Sequence, residues 1–387
     1  MNQTEQVLLQ AIQKSLWNTD ISFPDDTDWD AVLKEADNQA VLGLVIDNAP
    51  KDIQKKWEIK VSAGTMHFIR ILHCQEQLYM LLKENDIPMV ILKGTAAAIY
   101  YLNPSQRSMG DIDFLVPSED FDRAKEILEQ NGYEVNDDPR YLRHIEVRKD
   151  KISFEMHRFF NDNGFDVDQF ILPEISNAVN ASLFGCSFPI FPRLFNGLVL
   201  LGHMAGHMQT GLGLRQVVDW AAFVNRELDD VFWKNEFQKA AKESGLETLA
   251  ITVTKLCQDY LGLSCSITWC SLASHETVDL LLSSLLASGN FGYKQGGGRS
   301  VANAITKMKT KGLFRYLQKA GEFNWKAYHK HKWLKPFAWA YQICRYTKQG
   351  IQMRRGTNLK EDFARGNQRN KLLKQLKLED DNNKNHS

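Results

Sequence analysis

The sequence contains no apolar run of the ~18 residues that a membrane-spanning helix requires. Its six cysteines are scattered, and they show neither a CxxC pair nor the ligand spacing of a zinc site. The first residues do not combine a basic segment with an apolar one, so we expect no signal peptide. Together these absences predict a cytoplasmic protein with reduced thiols and no transmembrane segment.

Net charge is also absent overall, because 47 basic residues balance 47 acidic ones among the 387 residues. The balance is uneven, since residues 307–377 contain nineteen Lys or Arg and three Asp or Glu, a net charge of +16. This asymmetry predicts an anionic partner for the C-terminal region. The bases are interleaved with aromatic residues, which is typical of RNA binding and equally of an interfacial helix on an anionic membrane. A helical cap with inward aromatics and solvated bases is the simpler interpretation, and it is the one we favour.

What the sequence does contain is a short predicted strand over residues 109–116, Met-Gly-Asp-Ile-Asp-Phe-Leu-Val. Residues two apart on a strand point to the same side, so Asp111 and Asp113 should share a face. Two adjacent carboxylates repel each other, and a divalent cation that prefers oxygen ligands, Mg²⁺ or Mn²⁺, would stabilise them. The alternative is an exposed strand end with two solvated acids.

Features typical of phosphate binding precede this strand. An apolar strand over residues 88–92 leads through Lys93-Gly94-Thr95 into a predicted helix. Free backbone N–H groups at such a junction favour a phosphate, and Lys93 and Arg107 add positive charge. The stretch lacks the glycine spacing of a P-loop.

A third carboxylate is predicted on a later strand. Residues 141–148 and 151–159 have the pattern of a hairpin, in which Glu155 and His157 share one face. A place for Glu155 beside the Asp pair would complete a two-metal site, which clamps the attacking and leaving oxygens in phosphoryl transfer.

These motifs together resemble those of a known family. A Gly turn after a strand, an Asp-hydrophobic-Asp strand and a later acidic strand are similar to the nucleotidyltransferase superfamily that includes DNA polymerase beta. The closer resemblance, over roughly residues 60–260, is to a bacterial family of uncharacterised nucleotidyltransferases. It rests on Leu92-Lys93-Gly94, Tyr100-Tyr101, Arg107, Gly110 to Val116 and Phe154 to His157.

The resemblance implies a role for each motif residue. Asp111 and Asp113 would bind Mg²⁺ or Mn²⁺, and Glu155 would complete the site and help to deprotonate the acceptor. Gly94 and Thr95 would hold the nucleotide phosphates. The sequence departs from the superfamily pattern in having Gly-Thr in place of Gly-Ser, an unusual preceding lysine, and a slightly longer gap before the Asp pair.

A predicted helix pair downstream supplies further candidates. His203 and His207 are four residues apart on the first helix, and Arg215 and Asp219 are four apart on the second. One interpretation is that these residues line the cleft, together with His157, and hold the base, the sugar or the acceptor. The resembling family has a comparable His-rich helix. The other interpretation is a His pair packed between helices and a surface Arg–Asp pair, and we weigh the two evenly.

The predicted fold is α+β, a small mixed sheet with flanking helices embedded in N- and C-terminal helical regions. We divide the chain into an N-terminal helical region (1–85), the α/β core (86–160), a helical bundle that completes the cleft (161–289) and a basic, aromatic-rich helical region (290–387). In the last region, Gly296-Gly297-Gly298 is predicted to be part of a linker and residues 379–387 to be disordered.

The leading functional hypothesis is a Mg²⁺-dependent transferase that moves a nucleoside monophosphate from a nucleoside triphosphate, such as ATP, to an unidentified acceptor and releases pyrophosphate. Lys93, Gly94, Thr95 and Arg107 would hold the triphosphate. Two alternatives remain open. One is a nucleotide- or partner-binding module that keeps the fold without turnover, and the other is a toxin-like RNA-modifying transferase that uses the basic C-terminal region as a platform.

Overall fold

The computed structural model describes residues 1–138, 140–160, 165–295, 301–353 and 359–378. Within these residues one mixed sheet of seven strands is surrounded by helices, which confirms the α+β class. The strands are β1 (Val90–Leu92), β2 (Ile112–Leu115), β3 (Glu134–Asn136), β4 (His144–Lys149), β5 (Ile152–His157), β6 (Val179–Leu183) and β7 (Cys186–Ile190). The α-helices are α1 (Gln3–Trp17), α2 (Trp29–Asn38), α3 (Leu42–Val45), α4 (Lys51–Glu84), α5 (Gly94–Ala98), α6 (Phe121–Gln130), α7 (Asp168–Ile171), α8 (Arg193–Met208), α9 (Leu214–Glu227), α10 (Asp230–Phe232), α11 (Gln238–Glu243), α12 (Glu247–Leu261), α13 (His275–Ser288), α14 (Val301–Lys311), α15 (Leu313–Asn324), α16 (Lys326–Lys330), α17 (Ala338–Met353) and α18 (Leu359–Gln375).

The 34-residue helix α4 connects the N-terminal helices to the sheet. Its apolar positions recur with helical periodicity, and Pro50 immediately before its first turn is compatible with a helix start. The first half of α4 is mostly exposed. In the second half, Phe68, Ile71 and Leu72 are buried in an apolar cluster that also contains Phe114 of β2. The helix is therefore held to the sheet by one half only.

The strand order β3-β4-β5-β2-β1-β7-β6 places β2 between β5 and β1. Strand β2 runs antiparallel to β1 and parallel to β5. In this register Asp113 is paired with Leu92 on one side and with Glu155 on the other. Paired residues on neighbouring strands project from the same face, so the two acids lie side by side.

The two faces of the sheet enter two different apolar clusters. Ile112 and Phe114 join the cluster that includes α4, whereas Leu115 joins the cluster that includes α8 and α9. Because Asp113 alternates with Phe114, its carboxylate is directed to the side of α8 and α9. The sheet thereby presents its acids to the helix pair that carries the predicted histidines.

The hairpin β6–β7 is a correction to the sequence analysis, which expected only helices after residue 160. Phe184 and Gly185 connect the two strands, and both have a left-handed φ, 49° and 85°. Two such residues are typical of a tight hairpin turn whose twist matches that of the strands. Ile190 of β7 pairs with Ile91 in parallel, so the hairpin extends the sheet beyond β1.

The four-part division of the chain stays a prediction.

The C-terminal helices α15 and α17 pack closely against each other. A Cβ atom on Gly321 would lie 1.9 Å from the carbonyl oxygen of Ala338, so only glycine fits there. The favoured interpretation, in which the aromatics of this region turn inward, is wrong for several of them. Phe314, Trp333 and Phe337 are more than half exposed. The predicted linker Gly296-Gly297-Gly298 and the tail 379–387 lie outside the described residues.

Among the helices that the structure describes, none combines the length and the apolarity needed to cross a membrane.

Candidate active site

Three carboxylates converge where the start of β2 lies beside the middle of β5. Ligand oxygens of Asp111, Asp113 and Glu155 lie within 4.8 Å of one another. Asp113 is buried in the sheet, Glu155 is partly buried, and Asp111 is exposed at the mouth of the cleft. Strand alternation predicts this grouping, and the parallel register of the two strands produces it.

Two nitrogens compensate the charge of the buried aspartate. The Lys93 Nζ lies 2.8 Å from Oδ1 of Asp113, and the His157 Nε2 lies 3.0 Å from the same oxygen. The His157 Nε2 is also 3.5 Å from Oε2 of Glu155. An ionised carboxylate only accepts hydrogen bonds, so His157 must carry its proton on Nε2. The Nδ1 atom is buried without a partner among the described residues, which suits an unprotonated nitrogen better than a second N–H.

These contacts separate the pKa values of the three acids. Burial raises the pKa of Asp113, but Lys93 and His157 outweigh burial and hold that pKa well below its usual range. Burial also raises the pKa of Glu155, whereas the hydrogen bond from His157 lowers it. The net result is a pKa below the usual value. The pKa of Asp111 is raised by desolvation and by the nearby charges of Asp113 and Glu155, even though its side chain reaches solvent. Asp111 is the acid whose charge the surroundings compensate least.

The turn between β1 and α5 places the lysine in the cleft. Lys93 has φ 54° and ψ −143°, a conformation that a non-glycine residue rarely adopts. Gly94, which follows, has φ 46°. The Thr95 hydroxyl donates a 2.7 Å hydrogen bond to Oε1 of Gln75 and is fully buried. The side chain of Thr95 is therefore not brought to the cleft, and α5, with one turn, contributes little dipole.

Arg107 and Asp219 form a buried bidentate pair. Both the Nε–Oδ1 and the Nη2–Oδ2 distances are 2.8 Å. The Tyr101 hydroxyl donates to the same Oδ1 at 2.7 Å. Asp219, predicted as a cleft residue, accepts hydrogen bonds from two guanidinium nitrogens of Arg107. This pairing leaves Arg107 few donors for a ligand.

A cleft of about 190 Å³ opens in front of the acids. Its lining residues are Lys93, Gly94, Arg107, Gly110, Asp111, Asp113, Arg143, Glu155, His203, His207, Arg215 and Phe291. The predicted residues His203, His207 and Arg215 are thus brought together with the acids. Arg143 and Phe291 were not predicted. Neither residue has a sequence signal, because one precedes β4 and the other is delivered from beyond α13 by tertiary packing.

Arg215 is directed into this cleft with part of its guanidinium unused. It is nine-tenths buried, and its Nη1 donates to the Ser108 carbonyl at 3.2 Å. Its Nε has no partner among the described residues. The guanidinium carbon lies 5.1 Å from the centre of the Phe291 ring. A buried, partly unsatisfied guanidinium in a cleft is well suited to an incoming anion.

The two histidines on α8 are held neutral. Their rings are 4.5 Å apart, and the His207 ring also contacts Phe291 at 4.7 Å. Burial, with a smaller effect of Lys93, lowers the pKa of His207 to about 3. The same causes place the pKa of His203 well below its usual value. Neutral imidazoles next to an aromatic ring provide flat surfaces and single hydrogen-bonding atoms rather than positive charge.

Comparison with known proteins assigns the family. A model of uncharacterised nucleotidyltransferases matches residues 25–262, a span that contains the whole sheet, α8 and α9. The chain belongs to this family. No curated protein matches the sequence of this family member. Among solved structures, it is similar to an antigenic nucleotidyltransferase-like protein from Paracoccidioides brasiliensis, with 13% identity and a TM-score of 0.32, over 51% of this chain and 94% of the other.

Family membership supports nucleotidyl transfer in general, and divalent metals are typical of such transferases. The donor set of this family member fits one, since the clustered atoms of Asp111, Asp113 and Glu155 are carboxylate oxygens, the ligands that Mg²⁺ and Mn²⁺ prefer. The Lys93 ammonium already occupies a cationic position against Asp113. A second cluster, His144, Glu155 and His157, shares Glu155 with the first.

Proposed function

We propose that the protein is a Mg²⁺-dependent nucleotidyltransferase that transfers a nucleoside monophosphate from a nucleoside triphosphate to an acceptor and releases pyrophosphate. The observation that carries this proposal is the convergence of Asp111, Asp113 and Glu155 across paired strands, in a cleft that Arg143 and Arg215 also line. Acids that bind a metal and cations that bind phosphate are the two parts that phosphoryl transfer requires.

Asp111 and Asp113 would hold the metal, with Glu155 beside them. The ion would neutralise negative charge that develops on the phosphate oxygens. The acceptor oxygen would form a bond to the α-phosphorus while the bond to the bridging oxygen of pyrophosphate breaks. Glu155 is ionised and partly buried, so it can accept the proton that an acceptor hydroxyl gives up.

The triphosphate contacts are assigned to the donors that remain available. The hydroxyl of Thr95 is used by Gln75, and two guanidinium nitrogens of Arg107 are used by Asp219. Lys93, Arg143 and the free Nε of Arg215 therefore become the main phosphate donors. Gly94 allows close approach of the backbone.

The nucleobase would lie against Phe291 and the neutral His207, whose rings form one wall of the cleft. Stacking of this kind tolerates any base. Binding of ATP, the bacterial source and the cytoplasmic location stay predictions.

Calorimetric titration of each nucleoside triphosphate with Mg²⁺ tests the proposal, together with detection of released pyrophosphate. We expect the Asp111→Asn/Asp113→Asn variant to lose Mg²⁺-dependent nucleotide binding and turnover. The matched control is Asp52→Asn on the exposed half of α4, which should behave as the wild type. Nucleotide binding that is indifferent to the two acids would contradict the assignment.

A second candidate function is nucleotide binding without turnover. The Lys93 ammonium on Asp113 favours it, because a cation fixed by the chain reduces the need for a metal ion at that oxygen. Tight nucleotide binding with no pyrophosphate released, across a panel of hydroxyl and phosphate acceptors, would support this second function over the first.

A further inference from the structure

The segment from α15 to α17 exposes apolar side chains that a protein normally buries. Leu313, Phe314, Trp333, Phe337, Trp339 and Ile343, here called the aromatic surface, are 36% to 71% exposed. Isolated exposed apolar residues are ordinary, but a concentration of large ones in one segment indicates a contact surface.

The aromatic surface belongs to one packed unit. The rings of Phe314 in α15 and Trp339 in α17 lie 6.0 Å apart. Gln318 of α15 donates a 2.7 Å hydrogen bond to the Lys335 carbonyl, in the short helical turn that carries Trp333 and Phe337. Trp325 and Tyr341, which are half-buried, stack with their ring centres 5.0 Å apart. The segment is therefore packed internally, and the exposed side chains lie on the outside of an ordered unit.

Basic residues accompany the aromatic surface throughout. Residues 313–348 contain eight Lys or Arg and a single acid, Glu322. Lys330, Lys332 and Lys335 are exposed and flank Trp333 directly. A surface that joins exposed Trp and Phe to exposed positive charge is complementary to an apolar layer that lies under negative groups.

We propose that the aromatic surface docks on the face of an anionic lipid bilayer. Trp and Phe side chains would enter the headgroup region, and the lysines would contact lipid phosphates. Two features favour lipid over single-stranded RNA. Leu313 and Ile343 are aliphatic and cannot stack on bases. Six of the eight bases are lysines, which act as point charges, whereas arginine offers the planar fork that suits RNA.

The docked surface would lie beside one end of the cleft. Phe323 of α15 packs edge-on against Tyr141, with ring centres 5.6 Å apart. Tyr141 lies three residues before the start of β4 and two residues before Arg143, and its ring is 5.8 Å from that of His144. This neighbourhood does not depend on the proposed transfer reaction, so the membrane test and the nucleotide test can fail separately.

The test is cosedimentation of the full chain with vesicles of phosphatidylcholine, with and without phosphatidylglycerol. We expect binding to the anionic vesicles only, and weaker binding as salt is raised. Trp333→Ala/Phe337→Ala should lower the partition coefficient about tenfold or more, because two rings that would be buried in the bilayer are removed. Lys330→Gln/Lys332→Gln/Lys335→Gln should lower it roughly a hundredfold, at about fivefold for each lysine.

The matched control variant is Leu272→Ala/Lys242→Gln, which changes an exposed leucine and an exposed lysine outside α15–α17. It should bind vesicles as the wild type does. All altered residues are exposed, so circular dichroism should confirm the fold in each variant. No binding to anionic vesicles, binding unchanged in both surface variants, or binding of a single-stranded oligouridylate without binding of vesicles would each overturn the proposal.

Discussion

The Lys93 Nζ and the His157 Nε2 contact the same oxygen of Asp113, at 2.8 Å and 3.0 Å. One carboxylate oxygen thus accepts hydrogen bonds from an ammonium and from an imidazole N–H. The lysine compensates part of the negative charge of the acids, and it would compete with a metal ion bound there as proposed.

Replacing this lysine should change metal affinity and stability in opposite directions. In Lys93→Met we expect Mg²⁺ to bind the nucleotide-free protein about tenfold more tightly, because a competing cation is gone. We also expect the free energy of unfolding without metal to fall by about 3 kcal/mol, because a buried charge loses its partner. Calorimetric Mg²⁺ titration and urea denaturation measure the two effects.

Lys93→Gly separates charge from backbone strain. Both variants lose the ammonium, but glycine tolerates a φ of 54° and should recover about 1 kcal/mol of stability relative to methionine. Weaker Mg²⁺ binding in both variants would mean that the lysine does not compete with the ion.

The Arg107–Asp219 pair should contribute far more to stability than a surface pair. Asp219→Ala leaves a buried guanidinium and the Tyr101 hydroxyl without their acceptor, and we expect a loss of about 4 kcal/mol. In the control pair Lys56–Asp30 both side chains are more than half exposed, so Asp30→Ala should change the free energy of unfolding far less. Urea denaturation compares the two, and similar losses would contradict the structural role of Asp219.

Stability should depend on pH through His207. Its folded pKa of about 3 is below the ordinary 6.5, so between these values the unfolded chain binds a proton that the folded chain does not. The contribution of His207 to the free energy of unfolding is therefore fully present above pH 6.5. Below pH 6.5 it is lost as the pH falls, at about 1.4 kcal/mol per pH unit. His207→Gln should reduce the pH slope of the free energy of unfolding between pH 7 and pH 5 by that share, while His203, whose pKa is also lowered, keeps its own share. His275→Gln, at an exposed ring, should retain the wild-type slope.

Gly211 should be essential to the position of Phe291. It has φ +131°, and a Cβ atom there would lie 2.5 Å from the backbone nitrogen of Gly292. We expect Gly211→Ala to destabilise the fold by about 2 kcal/mol and to displace Phe291 from the cleft. The control Gly64→Ala, in open space on α4, should stabilise by up to about 1 kcal/mol. Denaturation and nucleotide titration check both, and unaltered behaviour of Gly211→Ala would contradict this role.

Local sequence patterns predicted the elements whose formation depends on residues that are close in sequence. The strand of Asp111 and Asp113 and the hairpin of Glu155 follow from alternation of apolar residues, and α4 follows from helical periodicity. The hairpin β6–β7 was missed because each of its strands has only five residues and β7 carries Pro189, although Asn180 and Ser182 of β6 do alternate with apolar residues.

The remaining parts of the site depend on contacts between distant residues. Nothing near Thr95 in sequence shows that Gln75 will turn its hydroxyl inward, and nothing near Arg107 identifies Asp219 as its partner. Phe291 reaches the cleft from a position far along the chain, and no spacing rule connects it to the acids. Such placements follow from tertiary packing. The sequence determines that packing, but no local pattern in the sequence reveals it.

The parallel pairing of β1 with β7 limits how this gene can be shortened. A fragment that ends at residue 160 would retain the acids but leave Val90–Leu92 with an open edge, ready to pair with other chains. A fragment that ends at residue 200 would close that edge and still lack the aspartate that neutralises Arg107. The smallest fragment that folds should therefore extend past residue 219, and shorter recombinant pieces should accumulate as inclusion bodies.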